Sequence, residues 1–532
     1  MLMTNPFLKE RKRFSIISPC YKEDWKHLEK NANTLAEQEY QEFEWIVVFD
    51  GSNKRGERMM AVLKESHKFP ISWYTIKHGG APKARNFGAS KATGDYFCFL
   101  NADNFLYPEA LRMWSDAFED PTVNRVWGLY DVETKDGRRF PVGQVPLYPD
   151  GSVWYKAFKY TNYCDSTFPI RRESFIKWND WKALQDWDWA IRQLKRDNFQ
   201  GKDWRYLAHS FFVAEDAEPG GLSDYSHKHW WELTGQIREK NNIPRNDICV
   251  VSLGAAHHGF HIAEKLGADY LPMPSFKDHK YKMIYLIGFY TAEDPANPIT
   301  TQTHMQVFAG NKGKSVIHWI GTDILQMHWN NSFEKIKAIK QWMKDEKVIN
   351  LTEIDYARKE LLELGIKSKI IPIPSKKLND PMPLPKKFSV AIYESSVSPM
   401  YNTEFMETIV RSMPDIKFYF FGDPSKKGQQ GDNYEHLGYI DMDEWMPKFS
   451  MNLRISVHDG YPLLPLEFLT AGRNVALNVK IGNGSIYVKK DRKAVINAIR
   501  YAQKHPLNPK WSKIIKKQMD FKLYKNRIRH LL

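Results

Sequence analysis

From Phe14 onward, short apolar runs end abruptly in polar or glycine-bearing turns and alternate with longer segments of mixed polarity. The runs FSIIS (from Phe14), EWIVVF (from Glu44), ISWYTI (from Ile71) and YFCFL (from Tyr96) are strand-sized and β-branched or aromatic. Helical segments fit between them: one ending near Glu39, one after the Asp50-Gly51-Ser52-Asn53 turn, and one beyond Gly79-Gly80. This βαβα order with short connections restricts the chain to the α/β class and predicts a largely parallel, doubly wound sheet. Such sheets collect functional side chains at the carboxyl ends of their strands. The fourth run ends in Asn101, Asp103 and Asn104, which places polar ligands at that edge.

Polar and turn residues accumulate at NNIPRN (Asn241 to Asn246), and a fresh strand then starts at Asp247 and runs to a turn at Gly254. Strands are expected again from Ser315, Lys369, Phe388 and Lys417, with helices over Glu353 to Leu364 and up to Arg411. The Pro- and Lys-rich stretch from Ile373 to Lys387 reads as a linker. The expected organisation is one domain over 1–246, with a Rossmann-like mixed sheet, and two small Rossmann-like lobes over 247–380 and 381–532.

At 532 residues the chain exceeds one core. No apolar run approaches the ~18 residues that span a bilayer, and the N-terminus lacks a signal peptide's apolar core, so a cytosolic location is expected. Cys20, Cys98, Cys164 and Cys249 are scattered without paired spacing, which predicts free thiols. The net charge of +14 is concentrated at one end: from Lys489 to Leu532 there are 14 Lys or Arg against two Asp, which leaves 63 basic and 61 acidic residues elsewhere. Trp511, Ile514, Ile515, Met519, Tyr524 and Ile528 interleave with these lysines. Two readings stay open: an amphipathic helix on an anionic membrane surface, or a terminal helix packed on the preceding lobe. A basic face also admits nucleic acid as a partner.

Two carboxylates stand out in the first half. Asp103 follows the fourth strand, and Asp186 and Asp188 lie among aromatics in LQDWDW. One carboxylate to hold a divalent cation and a distant second to take a proton are the minimum for metal-assisted displacement. Five elements then occur in a recognisable order: Pro19-Cys20-Tyr21, Asp50-Gly51-Ser52, Ala84-Arg85-Asn86-Phe87-Gly88, Asn101-Ala102-Asp103, and Gln185-Asp186-Trp187-Asp188. With them, residues 14 to about 235 resemble the family 2 glycosyltransferases of the GT-A fold. The resemblance implies inverting transfer from a nucleotide-activated sugar, a UDP-sugar foremost, with Mn2+ or Mg2+. It implies Asp103 as the metal carboxylate and Asp186, with Asp188 beside it, as the catalytic acid–base element. Pro19, Tyr21, Asp50, Arg85 and Asn101 would surround the nucleotide. His229, at the end of the HKH string, is a candidate further metal ligand from a C-terminal flap, against a surface role. Two departures stand out. Asn101 replaces the family's usual first Asp, and Phe49 stands where a base-contacting carboxylate is common. The Trp-rich stretch from Trp154 to Trp231 is expected to be mostly core, with a few rings lining an acceptor groove.

The second half resembles, more faintly, a family 4-type GT-B glycosyltransferase, through Ser456-Val-His-Asp459-Gly-Tyr-Pro-Leu-Leu-Pro-Leu-Glu467 and the following Ala471-Gly472. That resemblance implies Asp459 facing a donor sugar and Glu467 its ribose, both catalytic-site carboxylates. The segment His318 to Asp323 reads either as a cleft loop or as a strand end with a helix cap. The loop from Glu394 to Tyr401 lacks the family's phosphate-gripping cations, and Arg454 is a candidate substitute. The leading expectation is a metal-dependent glycosyltransferase that builds a glycan on a free or lipid-linked acceptor, bifunctional if the second half is active. The alternatives are a DNA glycosyltransferase acting on hydroxymethylated pyrimidines and a non-catalytic sugar-binding scaffold.

Overall fold

The computed structural model describes residues 13–134, 137–143, 145, 147, 152–163, 165–215, 229–252, 256–271, 280–291, 301–374, 378–394, 401–481, 484–505 and 509–532. Cys164, the turn at 219–223, His227, Gly254 and residues 395–400 lie outside them. The chain divides into two compact units, Met1–Arg245 and Asn246–Leu532.

The first unit is built on a nine-stranded sheet. Its parallel part comprises β1 (Phe14–Cys20), β2 (Phe43–Asp50), β3 (Ile71–Ile76) and β4 (Tyr96–Cys98), in the order β3-β2-β1-β4. Helices Leu28–Ala36, Lys54–Ser66 and Ala81–Lys91 make the crossovers that parallel pairing requires. The ends of β1, β2, β3 and β4 therefore share one edge. Beyond β4 the parallel run expected from the first strands stops, and the sheet becomes the mixed one expected for residues 1–246. The remaining strands are β5 (Asn104–Leu106), β6 (Arg125–Glu133), β7 (Arg139–Val142), β8 (Ile170–Arg171) and β9 (Trp204–Glu215). Of their pairings, β4–β8, β6–β8, β6–β7 and β5–β9 are antiparallel and only β6–β9 is parallel. The connection between β6 and β7 is a short turn, and only an antiparallel return fits so few residues.

The tryptophans are core, as the composition of that stretch predicts. Trp114, Trp127, Trp154, Trp187 and Trp189 are at most 1% exposed. Trp187 packs with Ile191, Ile237 and Ile243, joining the Gln185–Lys195 and Trp230–Lys240 helices.

The second unit holds two sheets. The first is six-stranded and all parallel, in the order Asp269–Leu271, Ile248–Val251, Met283–Ile287, Lys314–Trp319, Ile349–Thr352, Lys369–Ile370. The second is seven-stranded and parallel except for the pair Gln430–Gly431 and Tyr434–His436. The two lobes meet through glycine backbones. A Cβ on Gly460 would lie 2.1 Å from the Ile320 carbonyl oxygen, and one on Gly321 would lie 2.6 Å from Gly460 Cα.

The terminal helices Lys510–Gln518 and Phe521–Arg529 settle the two readings of the basic end. Ile515, Met519, Tyr524 and Ile528 are buried, and the Tyr524 hydroxyl is 2.7 Å from that of Tyr285 on a first-lobe strand. Four of the six apolar residues of the stripe are thus used inside the unit, as the packed-helix reading expects, while Ile514 is 40% exposed. No helix among the described residues is long and apolar enough to cross a membrane.

Gly460→Ala is expected to destabilise the second unit by about 1–3 kcal/mol, because the new methyl meets backbone rather than a yielding side chain. Thermal unfolding followed by calorimetry would show a lowered transition for that unit and an unchanged one for the first.

Candidate active site

The carboxyl edge of the first sheet gathers Tyr21 after β1, Asp50 at the end of β2, His78 after β3 and the Asn101–Asp103 turn after β4. Asp50 is 4% exposed and fully occupied. Its carboxylate accepts N–H bonds from Gly79 (2.7 Å) and Gly80 (2.8 Å), and it lies 2.8 Å from His78 Nδ1. Its role is to shape the loop after β3. That loop holds the His78 ring stacked on Tyr21 at 4.6 Å and 18°, with Tyr21 39% exposed. Phe49 is buried core, so no carboxylate precedes Asp50 at this edge. Pro19 lies within β1, paired with Val48.

Arg85, in the Ala81–Lys91 helix, is 5% exposed. It donates to Gln185 Oε1 (2.6 Å), Asn101 Oδ1 (2.8 Å) and Ser166 Oγ (3.3 Å). The guanidinium expected to face phosphate therefore ties the Asn101–Asp103 turn to the start of the Gln185–Lys195 helix. Asn86 adds a second tie, exchanging two 2.9 Å hydrogen bonds with the backbone of Trp178.

Asp186 lies in the first turn of that helix. Burial pushes its carboxyl up to about 7, with Asp165 adding to the rise and Arg85 and Arg125 opposing it. It is partly exposed and accepts no hydrogen bond among the described residues. Asp188 is different. It is fully buried, 2.9 Å from Arg192 Nε, and accepts from Asn179 (2.9 Å) and Asn241 (3.0 Å). These bonds pin the helix to its neighbours, so Asp188, expected beside Asp186, is engaged inside the unit where Asp186 is not.

Asp103 is exposed as a residue, yet its carboxyl is crowded by protein. Desolvation raises it to about 6, the charges of Asp165 and Asp24 add to this, and His27 opposes them. Asn101 Oδ1 accepts from both Arg85 and Ser166, so Asp103 is the hard oxygen donor of this turn. His229 caps the Trp230–Lys240 helix, with Nδ1 3.6 Å from Glu232. The histidine whose charge acts on Asp103 is His27.

Asp165, Asp24 and His27 escaped the sequence reading. Asp24 and His27 lie just after the Pro19-Cys20-Tyr21 element, a proximity that could have flagged them. Asp165 carries no such signal. Its carboxylate is held by the Thr167 N–H (2.8 Å) and Asn104 Nδ2 (3.4 Å).

In the second unit the expected cleft groups are largely paired. Asp459 forms a two-pronged ion pair with Arg454, with one bond of 2.9 Å, so Arg454 is not a free phosphate cation. Asp323 is fully buried and accepts N–H bonds from Phe289, Ile320, Gly321 and Ile324. It is a cap, and His318 is buried beneath it in the chain, its imidazole lowered to about 3 by burial. Glu394 is buried between His436 Nδ1 (2.6 Å) and Lys426 Nζ (3.2 Å). Glu467 lies on the Leu463–Thr470 helix, partly exposed.

A parallel α/β edge with an open carboxylate turn, a carboxyl titrating near neutrality and an exposed aromatic pair is the equipment of a nucleotide-sugar site. Residues 15–179 match the Glycosyl transferase family 2 profile, so the first unit contains a family 2 glycosyltransferase domain. The poly(ribitol-phosphate) beta-N-acetylglucosaminyltransferase TarS of Staphylococcus aureus (strain Mu50 / ATCC 700699) is 28% identical over 102 residues, covering 19% of this chain and 18% of TarS. The amylovoran biosynthesis glycosyltransferase AmsB of Erwinia amylovora is 31% identical over 143 residues, covering 26% of this chain and 43% of AmsB. The chain thus spans less than half the length of these curated relatives. A structure of S. aureus TarS residues 1–349 with UDP-GlcNAc aligns at 19% identity and a TM-score of 0.34, covering 43% of this chain and 66% of that one.

Two substitutions separate the neighbouring aspartates. Asp186→Asn is expected to lower turnover ~100- to 10,000-fold, the range for loss of a general base. It should also raise thermal stability. A carboxyl whose pKa is higher folded than unfolded destabilises the fold above that value and ceases to do so as pH falls, so the gain should be larger at pH 8 than at pH 5. Asp188→Ala should instead cost about 3 kcal/mol in denaturant unfolding by stranding Arg192 and two amides.

Proposed function

We propose that the first unit transfers a sugar from a nucleotide-sugar donor to a hydroxyl of a glycan acceptor, with inversion at the anomeric carbon. The observation that carries this reading is the tie from Arg85 to both Asn101 and Gln185, which fixes the acidic turn and the Asp186 helix relative to each other. Asp186 takes the proton of the acceptor hydroxyl as its oxygen bonds to the anomeric carbon. The bond from that carbon to the diphosphate breaks on the opposite face, and the single displacement inverts the centre. A carboxyl poised near 7 suits this proton transfer at neutral pH.

The donor set fits a hard divalent cation, since Mn2+ or Mg2+ needs only one or two carboxylates beside substrate phosphates. Asp103 would hold it, and the ion would neutralise charge on the departing diphosphate. The Tyr21–His78 pair is the surface for the donor base. With Asp50 occupied and Phe49 buried, base selection rests on this pair rather than on a carboxylate. The glycan acceptor follows from TarS and AmsB, whose names describe polymer glycosylation or biosynthesis.

For the second unit we propose a GT-B-like pair of lobes in which Asp459 and Glu467 do not form a second transfer centre. The support is the closed Asp459–Arg454 pair, which leaves neither group free for a donor.

Donor hydrolysis across UDP-, GDP-, CDP- and ADP-sugars, with and without Mn2+, tests the reading. The expected result is turnover with one nucleotide class, lost in Asp103→Ala and retained in Asp459→Ala. The rate should rise through an ascending limb centred near pH 7, and Asp165→Asn should move that limb to lower pH, because the Asp165 charge raises Asp186. Turnover surviving Asp186→Asn would overturn the assignment of the base.

A further inference from the structure

A cavity of about 370 Å3 opens between the two lobes of the second unit, within the size range of small-ligand sites. Glu353 and Pro372 of the first lobe, Tyr461 and Ile481 of the second, and Gln518 and Arg527 of the terminal helices line it. All three parts of the unit thus contribute to one wall.

The lining has a definite chemistry. Pro372, Ile481 and the buried Tyr461 make an apolar floor, and no tryptophan or phenylalanine is among the lining residues to stack on a base. Glu353 is 6% exposed. Burial drives its carboxyl well above the ordinary range, although the Tyr461 and Ile373 N–H groups donate to it. Its carboxyl lines the cavity together with Gln518. At the rim, Arg527 is exposed and forms no ion pair among the described residues. The other rim charge, Asp355, is already matched by Arg358 (2.6 Å) and Lys359 (3.0 Å). The rim is therefore net cationic, on a segment with 14 basic and two acidic residues.

We propose that this cavity binds an acidic sugar, a pyranose ring bearing a carboxylate or a phosphate. Its C–H face rests on the apolar floor, its hydroxyls meet Glu353 and Gln518, and its anionic group meets Arg527. The second unit thereby holds an acidic glycan, presented as a uronate or a phosphorylated sugar. This rests on the reading that the chain works on glycans, and it adds a site apart from the Asp103–Asp186 centre.

The test uses the full chain and three probes, glucuronate, glucose 6-phosphate and glucose, by saturation-transfer NMR and calorimetric titration. UDP binding and donor hydrolysis are measured on the same samples. An acidic probe is expected to bind about 10-fold or more tightly than glucose, the scale of a hydrogen bond to a charged group. Arg527→Gln should bring it to the level of glucose, and Ile481→Trp, which fills the cavity, should remove it. The calorimetric unfolding transition of the second unit should be unchanged in both variants, which shows that this unit is folded, and UDP binding by the first unit should be unchanged as well. Binding of glucuronate alone or glucose 6-phosphate alone identifies the anionic group. Equal binding of all three probes, no binding by the wild type, or binding untouched by both variants would overturn the proposal. Donor hydrolysis lost while glucuronate binding persists would instead count against the transferase reading and leave this site standing.

Discussion

The first unit depends on a buried guanidinium. Arg85 carries a full charge at 5% exposure, and such a charge is tolerable only when its donors are matched. Gln185, Asn101 and Ser166 match its Nη donors, while Nε is buried without a hydrogen bond, and each of the three partners lies on a different segment. The turn after β4, the loop holding Ser166 and the helix bearing Asp186 are therefore fixed by one side chain. All three partners are neutral, so the charge is not cancelled locally. It acts instead on Asp186, opposing the rise that burial imposes.

The two units use a similar sheet edge in opposite ways. In the first, Asp103 and Asp186 accept no side-chain partner among the described residues, and their carboxyls are raised by crowding and by Asp165. In the second, Asp323, Glu394 and Asp459 each have close donors, from backbone, from histidine and lysine, or from arginine. Pairing stabilises a carboxylate and removes it from chemistry. What stays open in the second unit is the rim of a cavity with an apolar floor and polar walls, which suits holding a ligand more than transforming one.

Much of this was legible in the sequence. The first four strands, their parallel pairing and the carboxyl-edge position of Asp103 follow from apolar runs that end in polar turns. Three things were not. The antiparallel half of the first sheet arises from short strands such as Ile170–Arg171, too brief to show a period. Asp165 joins the site only through the tertiary return of the chain. Asp186 and Asp188 look equivalent as letters, but two residues on a helix are about 200° apart, so only one can face the edge while the other enters the core. Reading LQDWDW as a helix start would have separated them. Trp187 and Trp189 each lie about 100° from Asp188 on either side of it, and both are buried.

The two neutral amides that hold Arg85, Asn101 and Gln185, support one another. A carboxylate at position 101 would pair with Arg85 and add negative charge beside Asp103 and Asp24, whose carboxyls are already raised. A carboxylate at position 185 would take the Arg85 charge that now restrains Asp186. With Asn101 and Gln185 in place, Arg85 keeps its hydrogen bonds and its field, and Asp186 stays near 7 rather than drifting higher. The amides hold Arg85 through carbonyl acceptors, while the charge that would otherwise be cancelled stays available to oppose the rise of Asp186.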